Sequence, residues 1–209
     1  MDSKAKVFQS KSEQVAFDRK HRAVIQYNIG QYEHAFQAGK SYFKDLDAAR
    51  DQASKIKNYC QQEWENLLTQ FEKNARGNGC QVEWATGKDD ALKIIDQVIA
   101  AEDVRTVVKT KSMISEELEI NPFLAKRSVE SFETDLGEFI VQLAGEKPYH
   151  ILTPAMHKSK EDVAELFNQK FGLEPNARPE EITGFVRSFL REKFMSAQLG
   201  ITGANFLIA

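Results

Sequence analysis

The sequence predicts an α/β fold: a mostly parallel sheet with helices on both faces, preceded by a helical extension. Three observations lead there. Before residue 79 the chain holds no proline and its apolar residues recur three or four apart. Gly77-Asn78-Gly79 then interrupts the pattern, as a glycine-rich helix end does. From Cys80 onward short strand-like runs alternate with helical ones, the order that builds parallel sheets. The expected division is therefore 1–79, helical, and 80–209, α/β.

In the first part a helix is expected over about 10–37, with Val15, Val24, Ile25 and Phe36 on mixed faces. A longer one is expected over 45–76. Leu46, Ala49, Ala53, Ile56, Cys60, Trp64, Leu67 and Phe71 form its continuous stripe, and its length is roughly 45 Å. These helices serve either as a lid on the domain behind them or as a surface for a partner subunit. In the second part strands are expected at 80–85, 104–109, 128–133 and 149–154. Helices are expected at 89–101, 115–126, 135–144, 159–171 and 179–197. GITGANFLIA, the last ten residues, reads as a glycine turn over 200–203 leading into a strand from Ala204, in which the chain stops. The expectation is that the polypeptide is part of something longer.

Composition narrows the function. A net charge of −3 lacks the basic excess of nucleic-acid binders. No run of 18 apolar residues suggests a membrane span, and MDSKAKVFQSKSEQ lacks the apolar stretch of a secretory signal. A cytoplasmic protein is expected. Cys60 and Cys80 fit a reducing compartment, match no metal spacing and are too few for an iron–sulfur cluster, which usually takes four thiolates. No metal site is expected.

In parallel sheets ligands bind where strands end and helices begin, which selects four segments. In the first, Lys109, Thr110, Lys111 and Ser112 offer two ammonium groups and two hydroxyls before a helix, an anion site by chemistry. Ser112 could equally be a helix cap, with Glu116 and Glu117 complementing the helix dipole. In the second, Asp135 and Glu138 have capping-box spacing. With Glu133 they also place three carboxylates at one strand end, suited to proton transfer. In the third, Ser159 and Asp162 form another capping box. His157 is expected in an exposed loop at the rim, kept neutral by Lys158 so that it can act as a base. The fourth, Thr202, Gly203 and Asn205 with Gly200, permits close approach of backbone to a ligand. No phosphate-binding loop, dinucleotide fingerprint or nucleophile elbow is present.

Three stretches together are more specific than any loop alone. VVKTKSMISEELEIN (107–121), ETDLGEFIVQLAGEKPYHILTPAMHKSKEDVAELF (133–167) and LREKFMSAQLGITGANFLIA (190–209) resemble the lactate-utilisation (LUD) domain family. Within it they resemble the iron–sulfur subunits of L-lactate-oxidising complexes. The resemblance implies a fold like that of sugar-phosphate isomerases and CoA transferases. It implies a role in oxidation of L-lactate to pyruvate, with the other subunits of that complex as partners and a small organic acid as a possible ligand. It also implies four-iron four-sulfur clusters in a ferredoxin-type module beyond Ala209, and none in residues 1–209. From the same loops Glu117, Asp135, Glu138 and His157 are the catalytic candidates. Lys109, Thr110, Lys111, Ser112, Lys158, Thr202, Gly203 and Asn205 are the candidates for binding an anion. The alternative is an isomerase- or acyl-transferase-like enzyme for a sugar phosphate or CoA ester, with Lys111 holding the anion and Glu117 as base or nucleophile.

Overall fold

Three short parallel strands form the sheet in a computed structural model that describes residues 3–204. Their order is β2-β1-β3, with β1 (Thr106–Lys109) central, β2 (Glu130–Glu133) on one side and β3 (Leu199–Ile201) on the other. Val108 lies opposite Phe132 and Gly200, and Lys109 opposite Glu133 and Ile201. The helices are α1 (Ser3–Phe17), α2 (Arg19–Lys40), α3 (Leu46–Gln62), α4 (Trp64–Gly77), α5 (Lys88–Ala101), α6 (Met113–Glu117), α7 (Ile120–Lys126), α8 (Leu136–Ala144), α9 (Lys160–Phe171) and α10 (Pro179–Ser196). The α/β class and the N-terminal helices are as the sequence predicts.

The chain divides into two compact units. One comprises the N-terminal residues up to Tyr32 together with Glu102–Gly203, and contains the whole sheet. The other is formed chiefly by Glu33–Ala101.

Strand alternation sorts the faces of the sheet. Val108 and Phe132 join the core of α8, α9 and α10, where Phe139, Phe167, Ile182 and Val186 are buried. Phe171, Phe185 and Phe189 complete an aromatic cluster there, with Phe139 5.6 Å from Phe189 and Phe167 5.6 Å from Phe171. On the opposite face Lys109 and Glu133 reach Ser115 of α6 and Asn121 of α7. The outer edge of β2 is occupied by one side chain. The Gln142 amide donates to Ser131 O at 2.8 Å and accepts from Glu133 N at 3.1 Å, as a neighbouring strand would.

Several expected elements differ. The helix expected over 10–37 breaks at Asp18, whose carboxylate accepts from His21 N and starts α2. The helix expected over 45–76 breaks at Glu63, which ends α3 and precedes α4. The helix expected over 115–126 is two, because Pro122 has no N–H to continue the upstream ladder but is tolerated in the first turn of α7. Residues 80–85 are not a strand. Their backbone is held by α4, with Cys80 N donating to Ala75 O and Arg76 donating to Val82 O. Residues 149–154 are not a strand either. They close on themselves between two prolines, Tyr149 N donating to Pro154 O at 3.0 Å. The last strand begins earlier than expected, with Gly200 inside it, and the segment expected as a strand from Ala204 lies almost wholly outside the described residues.

Candidate functional site

Eight of the predicted residues meet at the carboxyl ends of β1, β2 and β3. Thr110 N donates to Ile201 O at 3.0 Å, and the Thr110 hydroxyl donates to that of Thr202 at 3.1 Å. Thr134 N donates to Lys109 O at 2.9 Å, tying in the loop after β2. Lys111 Nζ reaches Asp135 Oδ2 at 3.4 Å, and Asp135 Oδ1 caps α8 by accepting from Glu138 N. Ser112 caps α6 by accepting from Ser115 N. Ser112 is therefore a cap as expected, while at Asp135 the cap forms without the return bond from Glu138 that a capping box needs. Asn205 lies outside the described residues.

Gly203 is required here by space. A Cβ built on it would overlap Oγ and Cβ of Ser112. Gly203→Ala is expected to cost about 1–3 kcal/mol, the usual penalty of overpacking. Ser112→Gly in the same chain should recover much of that despite the lost cap, as measured by denaturant titration of the two single variants and the pair. Additive losses would mean the two loops do not press on each other.

The lysines differ in kind. Lys109, expected to face an anion, is instead 1 % exposed. Its ammonium bonds Glu133 Oε1 at 2.7 Å and the Ser115 hydroxyl at 3.1 Å, with Glu116 Oε1 at 3.6 Å. Glu116 rather than Glu117 faces it; Glu117 is exposed. Glu133 also accepts from Asn121 Nδ2 at 2.9 Å, while its second oxygen is buried without a partner. Lys111 is the accessible ammonium of the two. Against Lys109 and Lys111 stand four carboxylates: Glu116, Glu133, Asp135 and Glu138.

That imbalance bears on Glu138, itself buried. Burial first, then the charges of Glu133 and Glu116, push its carboxyl up to about 7, with Lys109 pulling the other way. The carboxyl therefore passes between its protonated and ionised forms in the neutral range and can give or take a proton there. The sign for stability follows. The folded chain keeps this proton where the unfolded chain has lost it, so stability is greatest below the ordinary carboxylate range and declines as pH rises through about 7. Glu138→Gln should leave stability at pH 4 nearly unchanged and raise it at pH 8 by about 1–3 kcal/mol, allowing for solvent screening. Thermal melts at the two pH values test this; a gain of equal size at both would remove titration as its cause.

His157 lies elsewhere. Its loop is not exposed: the residue is 8 % accessible. His157 Nε2 bonds Glu146 Oε2 at 2.6 Å, and Lys158 bonds the other Glu146 oxygen. Burial works to raise the Glu146 pKa, but the hydrogen bonds from Lys158 and His157 outweigh it and hold the carboxyl below its usual range. Lys158 thus pairs with Glu146 rather than acting on His157 directly. Glu146 directly follows the Gly145 cap of α8, whereas Asp135 caps the other end. Nine helical residues, roughly 13 Å, separate the two ends of α8, and Lys158 lines a groove with Asp135 as well as the one with His157. Tyr149 stacks on His157 with centroids 4.0 Å apart, and His21 of α2 stands 6.2 Å away.

Glu116, Ser115, Asn121, Glu146 and His21 were not among the predicted site residues. For Glu133 the signal was available: it ends β2 in register with Lys109 at the end of β1. Glu146 and His21 carried none, since only the closure of the loop on α2 brings them to His157. Among the described residues no group of three or more His, Cys, Asp or Glu side chains could hold a metal ion, and no helix is long and apolar enough to cross a membrane.

A parallel sheet flanked by helices, with charged and hydroxyl side chains gathered in the loops after its strands, places the chain in a class that sequence comparison defines further. The chain belongs to the LUD domain family, whose model matches residues 68–209. It is 39 % identical over 160 residues to lactate utilization protein B 2 of Bacillus mycoides (strain KBAB4). It is 38 % identical over the same length to lactate utilization protein B of Bacillus thuringiensis (strain Al Hakam) and to the uncharacterized electron transport protein YkgF of Escherichia coli (strain K12). Each match covers 77 % of this chain and 34 % of the relative, so the matched region spans about a third of those proteins. No solved structure matches at a significant level.

Proposed function

We propose that the chain is the LUD-domain part of an iron–sulfur subunit in a cytoplasmic complex that oxidises L-lactate to pyruvate. In this reading it binds substrate or neighbouring subunits, and electrons pass through four-iron four-sulfur clusters carried on polypeptide C-terminal to residue 209. The observation that carries the reading is the 38–39 % identity, over 77 % of the chain, to proteins named for lactate utilization. The electron-transport name of the Escherichia coli relative agrees with it.

The test is genetic. Deleting the gene should abolish growth on L-lactate as sole carbon source and leave growth on glucose intact. Unimpaired growth on L-lactate would overturn the proposal. A companion measurement concerns the clusters. With two cysteines, residues 1–209 should stay colourless and iron-free after anaerobic reconstitution. A visible chromophore with stoichiometric iron and sulfide would place a cluster in this domain.

One observation favours a second reading. The carboxyl of Glu138, raised to about 7 by burial and in part by the charge of Asp135, which itself pairs with the accessible ammonium of Lys111, would suit an isomerase- or acyl-transferase-like enzyme for a small anion. Turnover of a sugar phosphate or CoA ester by the chain, lost in Glu138→Gln, would support it over the first.

A further inference from the structure

We propose that the groove between the start of α2 and the loop after α8 binds a small 2-hydroxy acid, whose hydroxyl donates to Nδ1 of His157. The substrate class rests on the function proposed above; the site rests on geometry. The groove encloses about 430 Å³ and is lined by His21, Lys20, Glu146, Tyr149, His157 and Lys158 among others.

Two imidazole nitrogens on this groove are buried and unpartnered: Nδ1 of His157 and Nε2 of His21. A buried polar atom without a partner costs free energy that a ligand can recover. The orientation of His157 is fixed. Its Nε2 bonds Glu146 at 2.6 Å, Glu146 is held in turn by Lys158, and Tyr149 stacks over the ring at an interplanar angle of 20°. The carboxylate accepts only if Nε2 carries the proton, which leaves the Nδ1 lone pair free in the neutral ring. This is a carboxylate–imidazole dyad, the arrangement in which the carboxylate sets the tautomer and the free nitrogen takes a proton from a hydroxyl. Glu146 is accordingly a positioning residue.

The rest of the groove suits the other end of such a molecule. His21 Nε2 is a second unpartnered polar atom on the opposite wall, its ring 6.2 Å from that of His157. Next to it the ammonium of Lys20 is exposed and holds Asp162 loosely, at 3.2 Å, leaving N–H groups for a carboxylate. The acidic groups nearby have partners already: Asp18 accepts from His21 N, Asp162 from Ser159 N and Lys20, and Glu146 from His157 and Lys158. A ligand with one hydroxyl donor and one carboxylate a carbon away completes the set.

The test is imidazole nitrogen NMR of the full chain titrated with L-lactate, glycolate and pyruvate. The free chain should show His157 protonated at Nε2 and bare at Nδ1. L-Lactate and glycolate should shift the His157 and His21 signals saturably. Pyruvate, which has no hydroxyl to donate, should bind at least tenfold more weakly. His157→Gln should weaken L-lactate binding at least tenfold. Should that variant not fold, His21→Gln on the far wall gives the same reading. Glu146→Gln should mix the tautomers of His157 and lower affinity together. Absence of a saturable shift, equal affinity for pyruvate, or undiminished binding in the histidine variants would overturn the site. Growth on L-lactate that needs the gene, without any shift at His157, would remove this site alone. Hydroxy-acid binding here with growth indifferent to the gene would remove the lactate function alone.

Discussion

Lys109→Met is expected to destabilise the chain by about 3–5 kcal/mol, because it leaves the Glu133 carboxylate buried without its counter-charge. Glu133 is 2 % exposed and its second oxygen already lacks a partner, so water cannot take over. Glu133→Leu in the same chain should recover most of the loss, since an apolar pair of similar volume needs no solvation. Denaturant titration of both single variants and the double variant measures the coupling. If the pair were worth no more than a surface ion pair, Lys109→Met would cost under about 1 kcal/mol and the double variant would bring no recovery.

Phe139→Ala is the second large effect, also about 3–5 kcal/mol, from lost transfer energy and the cavity left behind. Phe139 is 1 % exposed and its ring neighbours those of Phe167, Phe171 and Phe189. The melting temperature should fall by roughly 6–20 °C. The variant should also disturb function more widely than one site, because α8 carries the Asp135 and Glu138 cluster at one end and leads into Glu146 at the other. Phe194→Ala, at a ring 60 % exposed on α10, is the control and should shift stability by under about 0.5 kcal/mol. Similar losses in the two variants would deny the aromatic cluster its place as the core.

How far the sequence could be read depends on whether a residue's partner is near it in the chain. β1 and β2 were legible because Val107 and Val108 in one and Phe132 in the other sit in short runs that lie between clear helical patterns. The caps at Ser112, Asp135 and Ser159 were legible because each closes on the residue three further on. Residues 80–85 and 149–154 have the same alternation as a strand, yet local side chains and prolines take their backbone groups first. Periodicity records which face would be buried and says nothing about whether a neighbour is there. The candidate site divides the same way. The loops after β1, β2 and β3 converge as parallel topology requires. His157 could not be placed, because its partners Glu146 and His21 are set by a loop without regular structure. Nor could the burial of Lys109 be foreseen from a run that reads as basic and polar.

The side-chain amide of Gln142 on the outer edge of β2 has a consequence for how this sheet can be joined by other polypeptide. An extended segment docking beside β2 would have to displace an amide that already satisfies both a carbonyl and an N–H there. Gln142 therefore works as a terminator and makes the three-stranded ladder one-sided. Any further strand, from the same protein or another, joins it most readily beside β3, next to the turn through Thr202 and Gly203.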